Sequence, residues 1–243
     1  MSLSMRPIPR KYTLYSFHNL MNGGNENEQR ISGKGIGKAA AAPDLIVLNM
    51  NLEVCDQDYE KTMLRSSEML DILRAAVVSS GHDGKELKTT SFNINTEYES
   101  YKEKEAWKQR FVGYKCSHGL KLEFDLDKAT LGVTLGAIAG CEAKPNFNIK
   151  FSIKDPNAVS EQLLESAIKN AKWKAAVLAK AANIKLGAIQ RIEYNWSELL
   201  LYSQTDYQLC DAMVCEAAAP MAMEIKPEDI NVSDTATVVW AIE

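Results

Sequence analysis

Residues able to do chemistry are few in this chain, and their spacing is poor for it. Histidines stand at positions 18, 82 and 118 without HxH or HExxH spacing, and cysteines at 55, 116, 141, 210 and 215 without a CxxC pair. This provides no zinc-ligand pattern, and an odd cysteine count makes a poor disulfide framework. Cys116 and His118 fall two residues apart on an apolar strand face and could share a pocket, but a hydrogen-bonded core histidine is the simpler reading. No GxSxG elbow occurs, and the carboxylates are too scattered to assign an acid and a base. Gly33-Lys34-Gly35-Ile36-Gly37 invites comparison with a phosphate-cradling loop. A dinucleotide fingerprint needs a helix directly after the glycine turn, whereas Pro43 and a strand pattern follow here. The segment is expected to be an extended, glycine-rich edge strand that binds no nucleotide. No catalytic, cofactor or metal residue is assigned, and the chain is expected to be no enzyme.

The oddest stretch runs from Ile192 to Ile225. It has no Lys or Arg but carries Glu193, Glu198, Asp206, Asp211, Glu216 and Glu224, with Cys210, Met213, Cys215, Met221 and Met223 among them. Soft sulfur ligands suit Cu(I), so a small-ligand or soft-metal site is the alternative reading. The leading reading is an interaction or packing loop at 197–225 that uses Leu199, Leu200, Tyr202, Met213 and Met221.

The elements that position these residues follow from hydrophobic period. Leu45 to Val54 alternates with both faces partly apolar, the mark of a strand buried on two sides. Asp56 or Asp58 then caps a helix to about Ser80, with Tyr59, Met63, Ser66, Leu70, Leu73 and Val77 on one stripe. Gly81 follows where a left-handed residue is wanted. Thr89 to Tyr98 predicts a strand. A longer one from Val112 to Leu126 puts Tyr114, Cys116, His118, Leu120, Leu122 and Phe124 on one face, opposite a polar one. A short helix over Asp127–Ala139 and a strand through Phe147, Ile149, Phe151 and Ile153 come next. Asp155-Pro156 opens the strongest helix. Its stripe holds Leu163, Leu164, Ala167, Ile168, Ala171, Ala175, Leu178, Ala179 and Ala182, alanines that let it lie close on a sheet. Lys169, Lys172, Lys174 and Lys180 read as its solvated face. Strands over Leu186–Trp196 and Val232–Ile242 complete an α+β fold: a mostly antiparallel twisted sheet carrying two longer helices and a short one.

With 243 residues, a net charge of −4 and 25% charged residues, the chain can bury roughly 70–75% of its unfolded surface without disulfides. The acidic balance gives no basic face for nucleic acid. No stretch approaches the ~20 apolar residues of a membrane span. Residues 1–29 read as an N-terminal arm with a polar Gly-Gly hinge, ahead of a domain over 30–243. The arm is too polar for a signal-peptide core, so the location is cytoplasmic on the sequence as given, or periplasmic if a leader has been removed. Its Tyr12, Leu14, Tyr15, Phe17, Leu20 and Met21 are expected to dock on a neighbouring subunit.

Certain positions carry a family resemblance. They are Ser32-Gly33-Lys34-Gly35, Pro43-Asp44, Val112-Gly113-Tyr114 and Leu126-Asp127. Next come Ala167, Asn170, Ala171, Lys174, Ala175, Leu178 and Ala179, then Leu186-Gly187, and finally Ile225, Pro227, Glu228, Ile230 and Val232. On these residues the chain resembles the SIMPL domain family of bacterial envelope and stress-associated proteins, which also includes a vertebrate signalling adaptor. The motif positions are structural glycines and helix-packing alanines, specific for fold and weak for activity. Asn183 stands where the family's long helix usually ends in glycine, and Asn tolerates the left-handed conformation. The resemblance implies an α+β module that self-associates, sometimes into large ring-like or channel-like assemblies, with roles in stress defence or protein interaction. The apolar arm and the loop at 197–225 add the expectation of at least a dimer, with a protein partner yet to be identified.

Overall fold

The computed structural model describes residues 29–103, 106–194, 199–205, 207–208 and 226–243. Its elements are β1 (Arg30–Ala41), β2 (Leu45–Asp56), α1 (Tyr59–Ser79), β3 (Lys88–Glu103), β4 (Ala106–Asp125), α2 (Lys128–Ala139), β5 (Asn146–Ser152), α3 (Pro156–Ala182), β6 (Leu186–Tyr194), β7 (Tyr207–Gln208) and β8 (Ile230–Ile242). Each helix starts on an aspartate. Asp58 accepts from the Glu60 and Lys61 amides, Asp127 from Thr130, and Asp155 from Asn157 and Ala158. Each thereby satisfies amides that the helix itself leaves unpaired. Gly81 follows α1 at φ 101°, and Asn183 ends α3 at φ 55°, both in the left-handed region.

All pairings are antiparallel, in line with the expected α+β class, but the strands form two sheets rather than one. One has the order β1-β8-β6 and the other β3-β4-β2-β5-β7. The chain enters through β1, builds the whole of β2 to β5 as an insertion, and returns along α3, β6 and β8 to close the first sheet. The inserted half has a core of large side chains. Ile46, Leu48, Leu52, Leu120, Leu122, Ile149 and Phe151 of its sheet pack with Leu73 and Val77 of α1 and with Leu131 and Ile138 of α2. The outer half is packed differently, with Ala171 and Ala175 of α3 against Val238 and Trp240 of β8. A third cluster of Ile153, Val159, Leu163, Leu201 and Ile230 joins the halves.

Several sequence expectations change. Tyr59, placed on the buried stripe of α1, is half exposed, and Thr62 takes the first buried position instead. Leu178 leaves the α3 stripe and is 51% exposed, whereas Val159 joins it. β3 and β4 extend well beyond the expected strands. Residues 1–28, 104–105, 195–198, 206 and 209–225 lie outside the described residues, and with them the arm, Cys210, Met213, Cys215 and Met221.

Glycine substitution separates packing from propensity. A methyl group on Gly35 would meet the backbone carbonyl of Ala167 and the Cβ of Ala171, while around Gly132 of α2 nothing stands within 4 Å. Gly35→Ala is expected to destabilise by about 2–3 kcal/mol or more and Ala171→Leu by about 1–3 kcal/mol. Gly132→Ala is expected to stabilise by about 0.5–1 kcal/mol. Urea midpoints of the three variants check this, and equal midpoints for Gly35→Ala and the parent chain would refute the close packing.

Candidate functional site

The glycine segment is a strand, as expected, and its purpose is contact with α3. Gly33, Gly35 and Gly37 turn their bare Cα atoms toward the helix. Added methyls would strike Trp240 and Ala171 from Gly33, Ala167 and Ala171 from Gly35, and Leu163 and Ala167 from Gly37. Two strand residues advance about 6.8 Å and four helical residues about 6.0 Å. The two repeats therefore stay in step, and each glycine meets the next small residue down the helix.

The same step repeats along the open edge of β1. Lys174 Nζ donates to Lys34 O (3.0 Å), Ile36 N to Asn170 Oδ1 (3.0 Å) and Lys38 N to Ser166 Oγ (3.1 Å). These are backbone groups that β8, on the other side, cannot reach. Side chains of α3 thus cap an edge that would otherwise accept a foreign strand. A groove of about 760 Å³ runs along this seam, lined by Ile36, Lys38, Gln162, Glu165, Ser166, Lys169, Asn170 and Lys174. Its polar groups are largely engaged: Lys169 pairs with Glu165 at 2.8 Å, and three others hold β1. Lys174, read from sequence as part of a solvated face, belongs to this clamp.

Pro43 is buried, and Asp44 ties the entry of the inserted half to its exit. Its amide donates to Ser152 O, its carbonyl accepts from Leu126 N, and its Oδ1 accepts from Lys154 N at 2.8 Å. Gly187 lies against Ala241 of β8 beside an irregularity in the β6–β8 register. Leu199 and Leu201 belong to the joining cluster and are not a free surface. Ser152 Oγ donates to Leu201 O and Ser203 N to Phe151 O, fastening the segment to β5. Leu200 and Tyr202 are exposed.

Gly113 and Tyr114 mark where β4 leaves the body. β2 ends opposite Tyr114, so from Glu97 and Gly113 outward β4 pairs with β3 alone. A methyl on Gly113 would meet the carbonyl of Asp56. A register shift at Glu97/Tyr98 inserts one residue here, which moves Phe111 onto the face of Tyr114. The ribbon that follows has two unlike faces. Tyr98 with Phe111, Ser100 with Gln109 and Lys102 with Trp107 share one. The other holds Glu99–Arg110 (2.6 Å), Glu103–Lys108 and Tyr101 under the Arg110 guanidinium. On the first face Trp107 is 73% exposed, Tyr98 54% and Phe111 46%. A chain of edge contacts, Tyr98–Phe111, Phe111–Tyr114 and Tyr114–Tyr59, links these rings to α1.

Cys116 and His118 share the covered face of β4 without forming a joint site. Cys116 Sγ lies 3.3 Å from Ser66 Oγ, and His118 Nε2 lies 2.9 Å from Thr89 Oγ1, with Phe92 edge-on to its ring. Burial, and then the charge of Arg74, hold the His118 imidazole below its ordinary value of 6.5. Among the described residues no group of three His, Cys, Asp or Glu side chains is placed to hold a metal, and no helix is long and apolar enough to cross a membrane.

Residues 31–240 match the SIMPL family, described as "Protein of unknown function (DUF541)". The chain belongs to the SIMPL family. It is also similar to the "26 kDa periplasmic immunogenic protein" of Brucella melitensis biotype 1, 26% identical over 164 residues. The Brucella abortus (strain S19) protein of the same name is 25% identical over 164 residues. Each match covers 67% of this chain and 65% of the relative, so the chain spans about two thirds of the length of these relatives.

Of the residues that carry the resemblance, Gly33, Gly35, Ala171 and Ala175, together with Asn170 and Lys174, are the two halves of the β1–α3 seam. Pro43 and Asp44 are the hinge between the sheets, and Gly113 and Tyr114 the root of the ribbon. Sequence reading missed Tyr98, Trp107 and Phe111 as a set, because the extra residue at the bulge breaks the alternation that would have linked them to Tyr114.

Two measurements probe this site. Asn170→Ala leaves the Ile36 amide without its partner, at a cost of about 0.5–1.5 kcal/mol. Hydrogen exchange at Ile36 is expected to quicken while Gly35, paired to β8, keeps its protection. For His118, the unfolded chain takes up a proton more readily than the folded one. Stability from this site is therefore full above about pH 6.5 and declines as the pH falls through the lower folded-state value. His118→Gln is expected to show a smaller drop in urea midpoint between pH 7.5 and pH 5.5 than the parent chain. An equal drop would mean that other groups carry the effect.

Proposed function

We propose that this SIMPL protein is a non-enzymatic, self-associating interaction module of a bacterial envelope. The observation that carries the reading is the ribbon beyond Tyr114, where an amphipathic pair of strands holds the rings of Tyr98, Trp107 and Phe111 in solvent on one face and ion pairs on the other. Two strands alone make a marginal structure, and exposed aromatic rows with a polar reverse mark contact surfaces. The periplasmic naming of the Brucella relatives supports the envelope location. Sedimentation of the full chain from low to high micromolar concentration tests the reading. A species heavier than the 27.0 kDa monomer is expected to grow with concentration, and a monomer throughout would refute self-association.

A further inference from the structure

The face of β4 that buries Cys116, His118, Leu120 and Leu122 is covered by α1 and α2 within the body. α1 begins at Tyr59, whose ring meets Tyr114. Past that point the same face runs on along the ribbon through Phe111 with Tyr98 to Trp107 with Lys102, and no element among the described residues continues the layer that the helix forms. Building on the self-association proposed above, we infer that this layer is filled by the ribbon of a second copy, the two aromatic faces packed against each other about a two-fold axis near Ser100 and Gln109.

Three features choose this occupant and its direction. First, the space is entered end-on. With the ribbons side by side in the same direction, both α1 helices would lie between the facing sheets and collide. With the ribbons opposed, each body lies beyond the other's tip, and each ribbon takes the layer that α1 leaves open. Second, the face is self-complementary. Opposed about that axis, Trp107 lies over the second copy's Phe111 and Lys102 over its Tyr98, a ring pair and a cation–π pair each formed twice. Ser100 and Gln109 meet their own copies at the axis. Third, the charges agree. Lys102 is the only charged residue among the three cross-strand pairs of this face, and reversal sets the two copies about 14 Å apart along the strands, beyond a physiological Debye length of about 8 Å. The ion-paired face of each ribbon stays in water. Rings of this kind bury about 150–250 Å² each when fully covered, and these are already about a quarter to a half covered within their own chain. What the six rings of the pair add therefore falls below the roughly 1,200–2,000 Å² of a stable interface. The pairing is therefore concentration-dependent, and its two-fold symmetry closes it at two ribbons.

Gln109→Cys and Arg110→Cys, each in the full chain with its own five cysteines as the common background, test the geometry. With a short bis-maleimide, whose span suits the roughly 10 Å between facing sheets, Gln109→Cys is expected to give a cross-linked dimer well above the parent chain, and Arg110→Cys, on the opposite face, is not. In sedimentation, the pair Trp107→Ser and Phe111→Ser is expected to weaken association about tenfold or more. Cross-linking does not depend on the serine variants, so the test stands even where those fold poorly. If the full chain is monomeric throughout, self-association itself falls. If it associates, but neither cross-links through Gln109→Cys nor responds to the serine pair, the ribbon pairing alone is wrong. Loss of binding to anionic phospholipid vesicles in the serine pair, with association unchanged, would assign the face to a bilayer and overturn the pairing.

Discussion

The fold rests on a near-coincidence of two repeats. Two residues along β1 and four along α3 cover almost the same distance, so a glycine strand and an alanine helix, each about 40 Å long by residue count, can run along each other backbone to backbone. The glycines remove the side chains that would hold the elements apart, and the alanines do the same from the helix. Little apolar area is buried per residue in such a seam, which leaves close dispersion contact as its main attraction, and such contact fades quickly with separation. The three side-chain bonds from Ser166, Asn170 and Lys174 follow the same repeat and fix the register that the contact requires.

The seam also explains how the chain carries its insertion. β1 is held by α3 on one side and β8 on the other, so the start and end of the domain are locked together around a segment of about a hundred residues. That segment leaves through Pro43-Asp44 and returns through Ser152 to Asp155, and Asp44 bonds to both Ser152 and Lys154. The inserted sheet needs no support from the seam beyond this hinge and the cluster around Ile153 and Leu201, because its own core is made of large side chains. Two packing chemistries coexist, one governed by shape and the other by area.

What the sequence revealed divides along the same lines. Period-two and helical patterns located the strands and helices of the inserted half, since large buried residues write a strong periodic signal. The alanine stripe of α3 was legible too, and the Gly33–Gly37 strand could be separated from a phosphate loop by the Pro43 that follows. That the two elements face each other, and that Lys174 bonds to a carbonyl 140 residues away, left no local trace. Leu178 misled because a helical wheel cannot say how wide a stripe a flat sheet will cover. Thr62 was missed because its hydroxyl hides the burial: it lies 2.9 Å from the Asp58 carbonyl and 3.3 Å from that of Tyr114, at the crossing of α1 and β4. The ribbon was lost at its bulge, where one extra residue reverses the parity on which strand reading depends.

The contrast between two parts of the molecule gives the ribbon its meaning. Strand edges and apolar strand faces invite association, and folded proteins usually blunt them. At β1 this chain does so with three side chains of α3 placed at the strand's own repeat. On the outer face of the ribbon it uses Glu99, Arg110, Glu103 and Lys108 in cross-strand pairs, which contribute little to stability in water but keep that face wet. The opposite face carries Trp107, Tyr98 and Phe111, with Lys102 as its sole charge, on strands that extend past the last residue of β2 able to support them. A sequence that protects one edge and one face so fully, and leaves a row of rings on the remaining face, is selective about where it can be met. The bulge strengthens the point: without the extra residue Phe111 would turn to the ion-paired side, and the row from Tyr59 through Tyr114 to Tyr98 would be broken at its centre.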